Sequence, residues 1–474
     1  MRQKRFPLYV LLIAVLVTFV ACAPTAPPTP QVAFSSHVDG ATISGSRTVV
    51  IHVDLTGALP NAEIDVDSNA TSVTEARTGD VLELTVTLKD HANFVTVTVT
   101  NPGQVKPGTA TINLDYPFLT LETAHAASVV IGQPDFDSTS ETAADKYFAG
   151  PYLRPLVAGE VLYLPDYGAD RVLGYLQVPT ANGAAADFVL GKQDFVDADS
   201  TIGNATFSGP QTVETDGERL YVLDYSWHRI LVFSSLPTTS GVAADHVIGQ
   251  PDFVTGAEAT SSTGLSYPEG MTIAAGKLIV ADTDNNRVLI WNSVPTDIGT
   301  PADLVLGQID MDTGAANGGG AAAANTLRFP TDVWSDGTRL AVVDQGNNRV
   351  LVWTSFPTSS NELADIVLGQ PDFVTTAAGL AASSMDYPYS LFSNGNQLFV
   401  VDTSNNRVLV WNSFPTANGQ AADVVLGQVD FESDAGSLGA SGLHYPTGVY
   451  AHGNRLFVAD NDNHRYLVYE GANP

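Results

Sequence analysis

The decapeptide DTSNNRVLVW, Asp402–Trp411, decides how the rest of the chain is interpreted, because close copies of it recur. DTDNNRVLIW, DQGNNRVLVW and DNDNHRYLVY are three of these copies. The Asp that begins the stretch occurs at positions 166, 224, 282, 344, 402 and 460, with spacings of 58, 58, 62, 58 and 58 residues. Self-similarity at a nearly fixed period is the signature of a repeat architecture.

Each copy predicts a tight β-hairpin. The Asp ends one apolar run, an Arg five residues later opens the next, and the four residues between them form the turn. Asn and Asp suit such turns because they tolerate left-handed backbone conformations and bond their own main chain. We expect the Asp and the Arg to hold the hairpin through a charge-assisted contact. The residues assigned this structural role are Asp166, Arg171, Asp224, Arg229, Asp282, Arg287, Asp344, Arg349, Asp402, Arg407, Asp460 and Arg465.

A calcium-binding loop is the alternative for this motif, because DTDNNR (282–287) carries carboxylates at alternate positions. A loop of the EF-hand type needs Gly at its sixth position and Glu at its twelfth. Arg287 and Ser293 occupy those positions, so the structural interpretation is preferred.

One repeat unit predicts four strands. In the best-defined unit, strand b is LFVVD (398–402), strand c is RVLVW (407–411) and strand d lies in ADVVLGQ (422–428). Strand a follows a proline, as in TGVYAH (447–452). Strands b and c are continuously apolar, which indicates burial on both faces. The stacked sheets of a β-propeller bury their strands in this way.

The order of the repeated pieces predicts a closed ring. The VLGQ signature places its Gly at positions 132, 191, 249, 307, 369 and 427, so that the first copy precedes every hairpin and none follows the last. The N-terminal strand is therefore expected to complete the sixth sheet, which would latch an all-β, six-bladed propeller and remove its free edges.

These residues resemble a known family. Units of the form LYVxDxxNxRVxVW resemble NHL repeats, and the added ADxVLGQPDF segment resembles a subgroup found in bacterial exported proteins. The resemblance covers roughly residues 125–474 and implies an NHL-type propeller, whose expected bounds are 118–474. It implies a fold and leaves the activity open, because one fold hosts many functions.

Residues 31–117 predict a separate β-sandwich. Runs such as ELTVTL and FVTVTVT alternate apolar and polar residues, as half-buried strands do. The frame DGATISGSRTVVIHV followed by VTLKDHANFVTVTVTNPG resembles bacterial immunoglobulin-like domains. The resemblance implies a spacer or an adhesion module.

The first 22 residues predict a targeting segment that is excluded from the fold. Arg2, Lys4 and Arg5 precede an apolar stretch, which ends at Cys22, the sole cysteine of the chain. This resembles a bacterial lipoprotein signal and implies that Cys22 is lipidated; an ordinary secretory signal is the alternative. Residues 23–30 form a proline-rich linker. The expected location is the cell envelope, at the outer membrane or cell surface, with the lipid anchor as the one membrane contact.

The charge of the chain argues against one class of partner. The formal net charge is −30 at pH 7, and such an acidic surface repels phosphate backbones, so nucleic-acid binding is not expected. The sequence also lacks HExxH, GxSxG and the phosphate-binding GxxxxGK[ST] motif. No catalytic residue, metal ligand or cofactor is therefore assigned.

Positions at which the repeats differ are the candidates for a ligand site, because structural positions agree between copies. The d–a and b–c connections are expected to share one face, and aromatic residues beside a polar rim suit a sugar, a peptide or a partner loop. The alternative is that these aromatics pack beneath the long d–a loops. The candidate residues are Tyr152, Tyr167, Tyr225, Trp227, Glu269, Arg328, Asp332, Asp386, Tyr389 and His444.

The sequence therefore predicts an exported, lipid-anchored binding or scaffold protein. Its partner would be an extracellular or periplasmic ligand, namely a glycan, a peptide or a protein. The alternative is a propeller hydrolase or lyase acting on an extracellular small molecule or glycan, with Glu269 and Asp332 among its metal ligands. A structural envelope protein that uses both domains for protein contacts is a third possibility.

Overall fold

The computed structural model describes residues 30–471, with gaps at 38, 40, 43–47, 69, 71, 89–90, 103–105, 117 and 141–143. The predicted signal segment, its Cys22 and residues 23–29 of the linker lie outside the described residues. The chain divides into two compact units, the first comprising most of the chain up to Leu114 and the second running from Asp115 onward. In the described part of the chain, no helix is long and apolar enough to cross a membrane.

The first unit consists of two four-stranded sheets. Its strands are β1 (Gln31–Phe34), β2 (Ala41–Thr42), β3 (Thr48–Thr56), β4 (Glu63–Ser68), β5 (Ser72–Thr78), β6 (Val81–Thr87), β7 (His91–Thr100) and β8 (Gly108–Tyr116). One sheet has the order β1-β3-β6-β5 and the other has the order β2-β8-β7-β4. Alternate residues are buried along the central strands, for example Val95, Val97 and Val99 on β7. This alternation is the pattern of strands that bury one face and expose the other.

The second unit is built from six four-stranded antiparallel sheets, named here repeat sheets 1 to 6. Sheet 1 contains β10 (Leu156–Ala158), β11 (Val161–Asp166), β12 (Arg171–Tyr175) and β13 (Phe188–Leu190). Sheet 2 contains β14 (Pro210–Thr215), β15 (Leu220–Asp224), β16 (Arg229–Phe233) and β17 (His246–Ile248). Sheet 3 contains β18 (Met271–Ala274), β19 (Lys277–Asp282), β20 (Arg287–Trp291) and β21 (Leu304–Leu306).

The remaining three repeat sheets follow the same order. Sheet 4 contains β22 (Pro330–Ser335), β23 (Leu340–Asp344), β24 (Arg349–Trp353) and β25 (Ile366–Leu368). Sheet 5 contains β26 (Pro388–Ser393), β27 (Leu398–Asp402), β28 (Arg407–Trp411) and β29 (Val424–Leu426). Sheet 6 contains β30 (Pro446–His452), β31 (Arg455–Asp460), β32 (Arg465–Glu470) and, from far earlier in the chain, β9 (Val129–Ile131).

Short 3-10 turns are the described helical elements. They lie at Tyr167–Ala169, Thr283–Asn285, Ala316–Gly319, Gln345–Asn347, Thr403–Asn405 and Asn461–Asn463. Five of them join strands b and c within a repeat sheet, at the position where the sequence predicts a turn.

The second and third strands of the repeat sheets are buried along their whole length, as their unbroken apolar sequence predicts. All five residues of β27 and all five of β28 are buried. The side chains fill the space between neighbouring sheets: Val400 and Leu409 of sheet 5 lie in one apolar cluster with Val343 and Val350 of sheet 4. Apolar packing between sheets therefore supplies the core of this unit.

The repeat sheets follow one another around an axis, and the last contacts the first. The first strands contact each other in sequence, from β10 to β14 and onward to β30. Tyr450 on β30 donates a hydrogen bond to the Val157 carbonyl on β10 (3.5 Å), and Thr447 Oγ1 bonds the Pro151 carbonyl (3.4 Å). Radially arranged four-stranded sheets with apolar inter-sheet packing are the architecture of a β-propeller. The predicted all-β propeller fold is confirmed at this level.

Candidate functional site

The d–a loops and the b–c turns lie on one face of the propeller. In sheet 5 the pairing register sets Pro388 at the start of the first strand opposite Asp402 at the end of the second, and sheets 2, 4 and 6 pair their equivalent residues in the same way. The proline and the b–c turn therefore share one end of each sheet. This end is called the turn face, and it carries all the candidate residues that flank the prolines.

The repeated Asp and Arg form a buried ion pair that also anchors two loops. Arg407 Nε donates to Asp402 Oδ2 at 2.7 Å, and neither side chain is exposed. The Arg407 guanidinium also donates to the carbonyl of Phe431 (2.9 Å) and to that of Ser384 (3.2 Å). The other five copies have the same pair at 2.6–2.8 Å, with at most 2% of either side chain exposed. Its carboxylate and guanidinium are occupied by internal contacts, so this pair offers a ligand no free polar group.

The residue before each repeated Arg connects one sheet to the next. Asn348 and Asn406 adopt left-handed backbone angles, with φ of +52°. Their side-chain oxygens accept the backbone N–H of Tyr387 (2.8 Å) and of Tyr445 (2.6 Å) in the following sheet. These bonds fix the aromatic residues that precede the prolines, which themselves have φ of +55° and +49°. The spacing between the sheets at the turn face is thus set by side-chain to backbone hydrogen bonds.

Five tyrosines form a continuous series of ring contacts at the turn face. Tyr152 has its ring centroid 5.3 Å from that of Tyr389 and 5.0 Å from that of Tyr167. Tyr225 lies 6.0 Å from Tyr167 and 5.0 Å from Tyr267. The hydroxyl of Tyr152 also donates to the hydroxyl of Tyr389 at 2.9 Å. This series is named the tyrosine arc, and its members come from repeat sheets 1, 2, 3 and 5. Four of the five tyrosines, all except Tyr267, were predicted as ligand contacts from the sequence.

Glu269 is the carboxylate that the arc surrounds. The Tyr389 hydroxyl lowers the pKa of Glu269. For Tyr152, Tyr167, Tyr225 and Tyr389, burial is the largest cause of a raised pKa, and the charge of Glu269 is the second. Glu269 is 7% exposed. Within the described part of the chain, no hydrogen-bond partner reaches its Oε2 atom. Burial raises the pKa of Glu269 to about 8, because a desolvated carboxylate without a cation favours its protonated form.

A second charged group lies deeper in the centre of the propeller. Arg154 is 1% exposed and donates to the backbone carbonyls of Met271 and Val333. Its Nη2 lies 3.7 Å from Glu214 Oε2 and 3.8 Å from Asp332 Oδ1. Asp332, a predicted ligand contact, is fully buried and also accepts a hydrogen bond from Ser390 Oγ at 2.8 Å. The structure therefore places Asp332 in an internal ion-pair network beneath the turn face.

An acidic depression adjoins the tyrosine arc on repeat sheet 3. It encloses about 600 Å³ and includes Glu258, Ser266, Asp284 and Asp312 in its lining. Burial, followed by the charge of Glu258, raises the pKa of Asp284. Asp284 in turn contributes to the raised pKa of Glu269. Glu269 therefore experiences negative charge from two directions: from Asp284 in this depression and from Asp332 beneath the turn face.

The other predicted ligand residues make contacts with residues outside the arc. The Trp227 ring packs on the Arg229 guanidinium at 4.8 Å, and its Cβ and Cδ1 lie beside Gly256, as expected if this aromatic packs beneath a loop. Arg328 is exposed and lies along Gly346. Asp386 is half-buried and donates its backbone N–H to Asp402 Oδ1 at 2.7 Å, while His444 is exposed and 3.6 Å from Asp462.

Three residues of this region were not predicted as site residues from the sequence: Tyr267, Arg154 and Glu214. Tyr267 belongs to the aromatic-proline signature and was interpreted as part of the repeat. Arg154 occupies the third position after a repeat proline, where the other five copies have Val, Met, Val, Leu and Val. An Arg at a position that is apolar in every other copy could have revealed this network from the sequence, because an Arg on an inward-facing strand requires a buried partner.

Metal ligation finds no support in the described residues. No group of three or more His, Cys, Asp or Glu side chains there is placed to hold an ion. Glu269 and Asp332, the ligands considered from the sequence, are partnered instead with Tyr389 and with Arg154 and Ser390.

Comparison with known proteins supports the repeat. Residues 265–291 match the family model described as NHL repeat. A stretch of 109 residues is 30% identical to NHL repeat-containing protein 2 of Gallus gallus, which corresponds to 23% of this chain and 14% of that protein. The chain thus spans about one seventh of the length of this curated relative.

Solved structures with a similar arrangement are distant in sequence. A protein from Bacteroides thetaiotaomicron is 12% identical, with a TM-score of 0.41, over 94% of this chain and 99% of its own. The PQQ-bound aldose sugar dehydrogenase of Streptomyces coelicolor is 14% identical, with a TM-score of 0.39, over 71% of this chain and 99% of its own.

Proposed function

We propose that residues 118–474 form a closed, six-bladed NHL-type propeller and that residues 31–117 form an immunoglobulin-like sandwich. The support for the blade count is the set of six four-stranded sheets, together with the pairing of β9 with β32. The support for the NHL type is the match over residues 265–291. For the sandwich, the support is the pair of four-stranded sheets with alternately buried residues.

The protein's function, in this proposal, is to bind an extracellular or periplasmic ligand on the turn face. The observation that carries it is the tyrosine arc around Glu269, because aromatic rings with polar tips provide contact area and hydrogen bonds together. The repeated Asp–Arg pairs are already occupied, whereas Glu269 Oε2 has no described partner. A site of this kind, at the place where the repeats differ, suits recognition of one ligand by a scaffold that is otherwise uniform.

Glycan and peptide arrays probed with the purified protein test this function. Tyr225 lies centrally in the arc, so a Tyr225→Leu variant removes a ring contact without touching the buried ion pairs. Array binding that is lost in this variant and kept in a Glu160→Gln variant, altered in the exposed β10–β11 turn, supports the turn-face site. Binding that survives Tyr225→Leu unchanged contradicts it.

The same proposal places the protein in the cell envelope, anchored through a lipid on Cys22. The support is the sequence alone: a basic start, an apolar stretch and the sole cysteine at its end. A Cys22→Ser variant expressed in a bacterial host is expected to leave the membrane fraction and to lose incorporation of labelled fatty acid. Retention of label in that variant contradicts the anchor.

A second candidate function is hydrolysis or elimination on an extracellular small molecule or glycan. The observation that favours it is the raised pKa of Glu269, about 8, because a general acid works best with a pKa near the working pH. Turnover of a chromogenic glycoside or ester that disappears in a Glu269→Gln variant would favour this candidate over pure binding.

A further inference from the structure

The turn face contains a carboxylate that lacks a cation. Three buried or largely buried carboxylates, Glu214, Asp332 and Glu269, lie along the centre of the propeller. Arg154 reaches the first two, at 3.7 and 3.8 Å. Glu269 is left with the Tyr389 hydroxyl on one side and with no described partner at Oε2. Ionising a buried carboxyl without a counter-charge is costly, so Glu269 favours its protonated form, and a bound cation would favour the ionised form instead.

The surroundings of Glu269 also suit a cation. The faces of tyrosine rings attract cations placed within about 6 Å of the ring centroid, and the arc gathers five such rings at the turn face. Asp284 and Glu258 add negative charge in the adjoining acidic depression. A neutral sugar would use the rings, but it would bring no positive charge to stabilise the ionised form of Glu269.

We propose that the tyrosine arc and Glu269 bind an organic ammonium group, carried either by a free amine or by the side chain of a lysine in a peptide. In this arrangement the carboxylate of Glu269, which is 7% exposed, accepts a hydrogen bond from the ammonium group, and the rings of Tyr225, Tyr152 and Tyr267 contact its positive charge and the adjoining methylene groups. The inference rests on the proposed binding function, because it names the ligand class for the same site.

The central network offers an internal precedent for this chemistry. Arg154 is held there by two carboxylates and by the carbonyls of Met271 and Val333. The propeller thus already binds one of its own cationic side chains in its centre. Nearer to the turn face, the ammonium group of the proposed ligand would pair with Glu269 as the guanidinium of Arg154 pairs with Glu214 and Asp332.

The test is calorimetric titration of the purified protein with three probes at pH 8: the N-acetylated, C-amidated peptides Gly-Lys-Gly and Gly-Leu-Gly, and n-butylamine. Gly-Lys-Gly is expected to bind at least about tenfold more tightly than Gly-Leu-Gly, since the charge is the difference between them. Butylamine binding as tightly as Gly-Lys-Gly identifies a free amine as the source; binding of the peptide alone identifies a lysine side chain.

Two variants assign the binding to this site. Glu269→Gln keeps the size of the side chain and removes its charge, so it is expected to abolish the preference for lysine, whereas Glu160→Gln should keep it. Tyr225→Phe retains the ring and should bind like the wild type, while Tyr225→Leu should bind about 3- to 30-fold more weakly. The tyrosine pair keeps the proposal testable if Glu269→Gln fails to fold.

Two results would overturn the inference: equal binding of the lysine and leucine peptides by the wild type, or an unchanged preference in Glu269→Gln. If the arrays nonetheless reveal a ligand whose binding is lost in Tyr225→Leu, the binding function stands and the ammonium assignment fails. If array binding is unaffected by Tyr225→Leu, the turn-face function itself fails.

Discussion

Asp402 and Arg407 lie opposite each other on paired strands, with 2.7 Å between Oδ2 and Nε, and neither side chain is exposed to solvent. They are five positions apart in the sequence, yet the hydrogen bonds of Arg407 extend to loops that precede and follow the hairpin. The pair is therefore a structural element of the sheet and of the turn face above it.

Removal of the guanidinium should destabilise the protein strongly. Arg407→Ala leaves Asp402 buried without its counter-charge, and breaking a buried pair costs about 3–5 kcal/mol. Urea unfolding measures the loss. The exposed pair of Arg455 and Glu470, at 3.2 Å, provides the control, since Arg455→Ala should cost about 1 kcal/mol or less. Equal losses at the two sites would contradict the proposed role.

The left-handed residue of the turn makes a separable contribution to stability. Asn406→Gly removes the hydrogen bonds of the side chain to the Tyr445 N–H and to the Asp434 carbonyl and keeps the φ of +52° accessible, so a loss of about 1–3 kcal/mol is expected. Asn406→Ala loses the same bonds and also pays about 1–2 kcal/mol for the left-handed conformation. The difference between the two variants in the free energy of unfolding, measured by chemical denaturation, is the cost of the left-handed conformation for a residue other than glycine. A larger loss for Asn406→Gly than for Asn406→Ala would contradict this prediction.

The N-terminal strand should be essential for the stability of repeat sheet 6. Val130 is fully buried on β9 and paired with Leu467 on β32. Val130→Asp would bury an unpaired carboxylate, so we expect a loss of about 3 kcal/mol or more, seen as a lower midpoint of thermal unfolding. Val254→Asp, at a residue that is 67% exposed, is the matched control and should leave the midpoint nearly unchanged. Similar midpoints for the two variants would mean that β9 contributes little.

Glu269 should make the stability of the protein depend on pH. Its pKa is raised to about 8 in the folded protein from an ordinary value of 4.5, by burial and by the charges of Asp284 and Asp332, although the Tyr389 hydroxyl acts in the opposite direction. A raised folded pKa contributes stability that is fully present below pH 4.5 and is lost as the pH rises through about 8. The slope from this one group is at most about 1.4 kcal/mol per pH unit.

Glu269→Gln, which cannot ionise, should therefore be no more stable than the wild type at pH 5 and more stable at pH 9. Urea unfolding of both proteins at the two pH values measures this difference. Glu160→Gln, at an exposed position, should show no such change with pH. A stabilisation by Glu269→Gln that is the same at both pH values would mean that ionisation of this carboxyl is not responsible.

The sequence was sufficient to predict the elements that depend on contiguous residues. The Asp, the turn and the Arg of each copy lie within six positions, so their hairpin is encoded locally, and its six-fold recurrence revealed the repeat. The predicted turn and strand positions agree with the structure at β27 and β28. The unbroken apolar run of RVLVW likewise predicted burial on both faces, because a strand with one wet face alternates.

The arc was predictable in part. The sequence predicted four of its tyrosines as ligand contacts, because the repeats differ at these positions: Tyr152, Tyr167, Tyr225 and Tyr389. Tyr267 was not predicted, because an aromatic before proline is common to most copies. The hydroxyl contact between Tyr152 and Tyr389 joins residues 237 positions apart in different sheets, and no local pattern encodes it.

The sequence by itself determined the repeat, its hairpins and the residues that differ between copies, because these depend on local spacing and on hydrophobic periodicity. Only the tertiary structure decided which of those differing residues meet. Stacking of the sheets about a common axis brought four tyrosines of the predicted set into contact with Tyr267 and left Trp227 packed beside Gly256. It also paired Arg154 with Asp332 and not with Glu269. The distribution of charge in the centre is a property of sheets that are distant in sequence, so it follows from packing and not from any single motif.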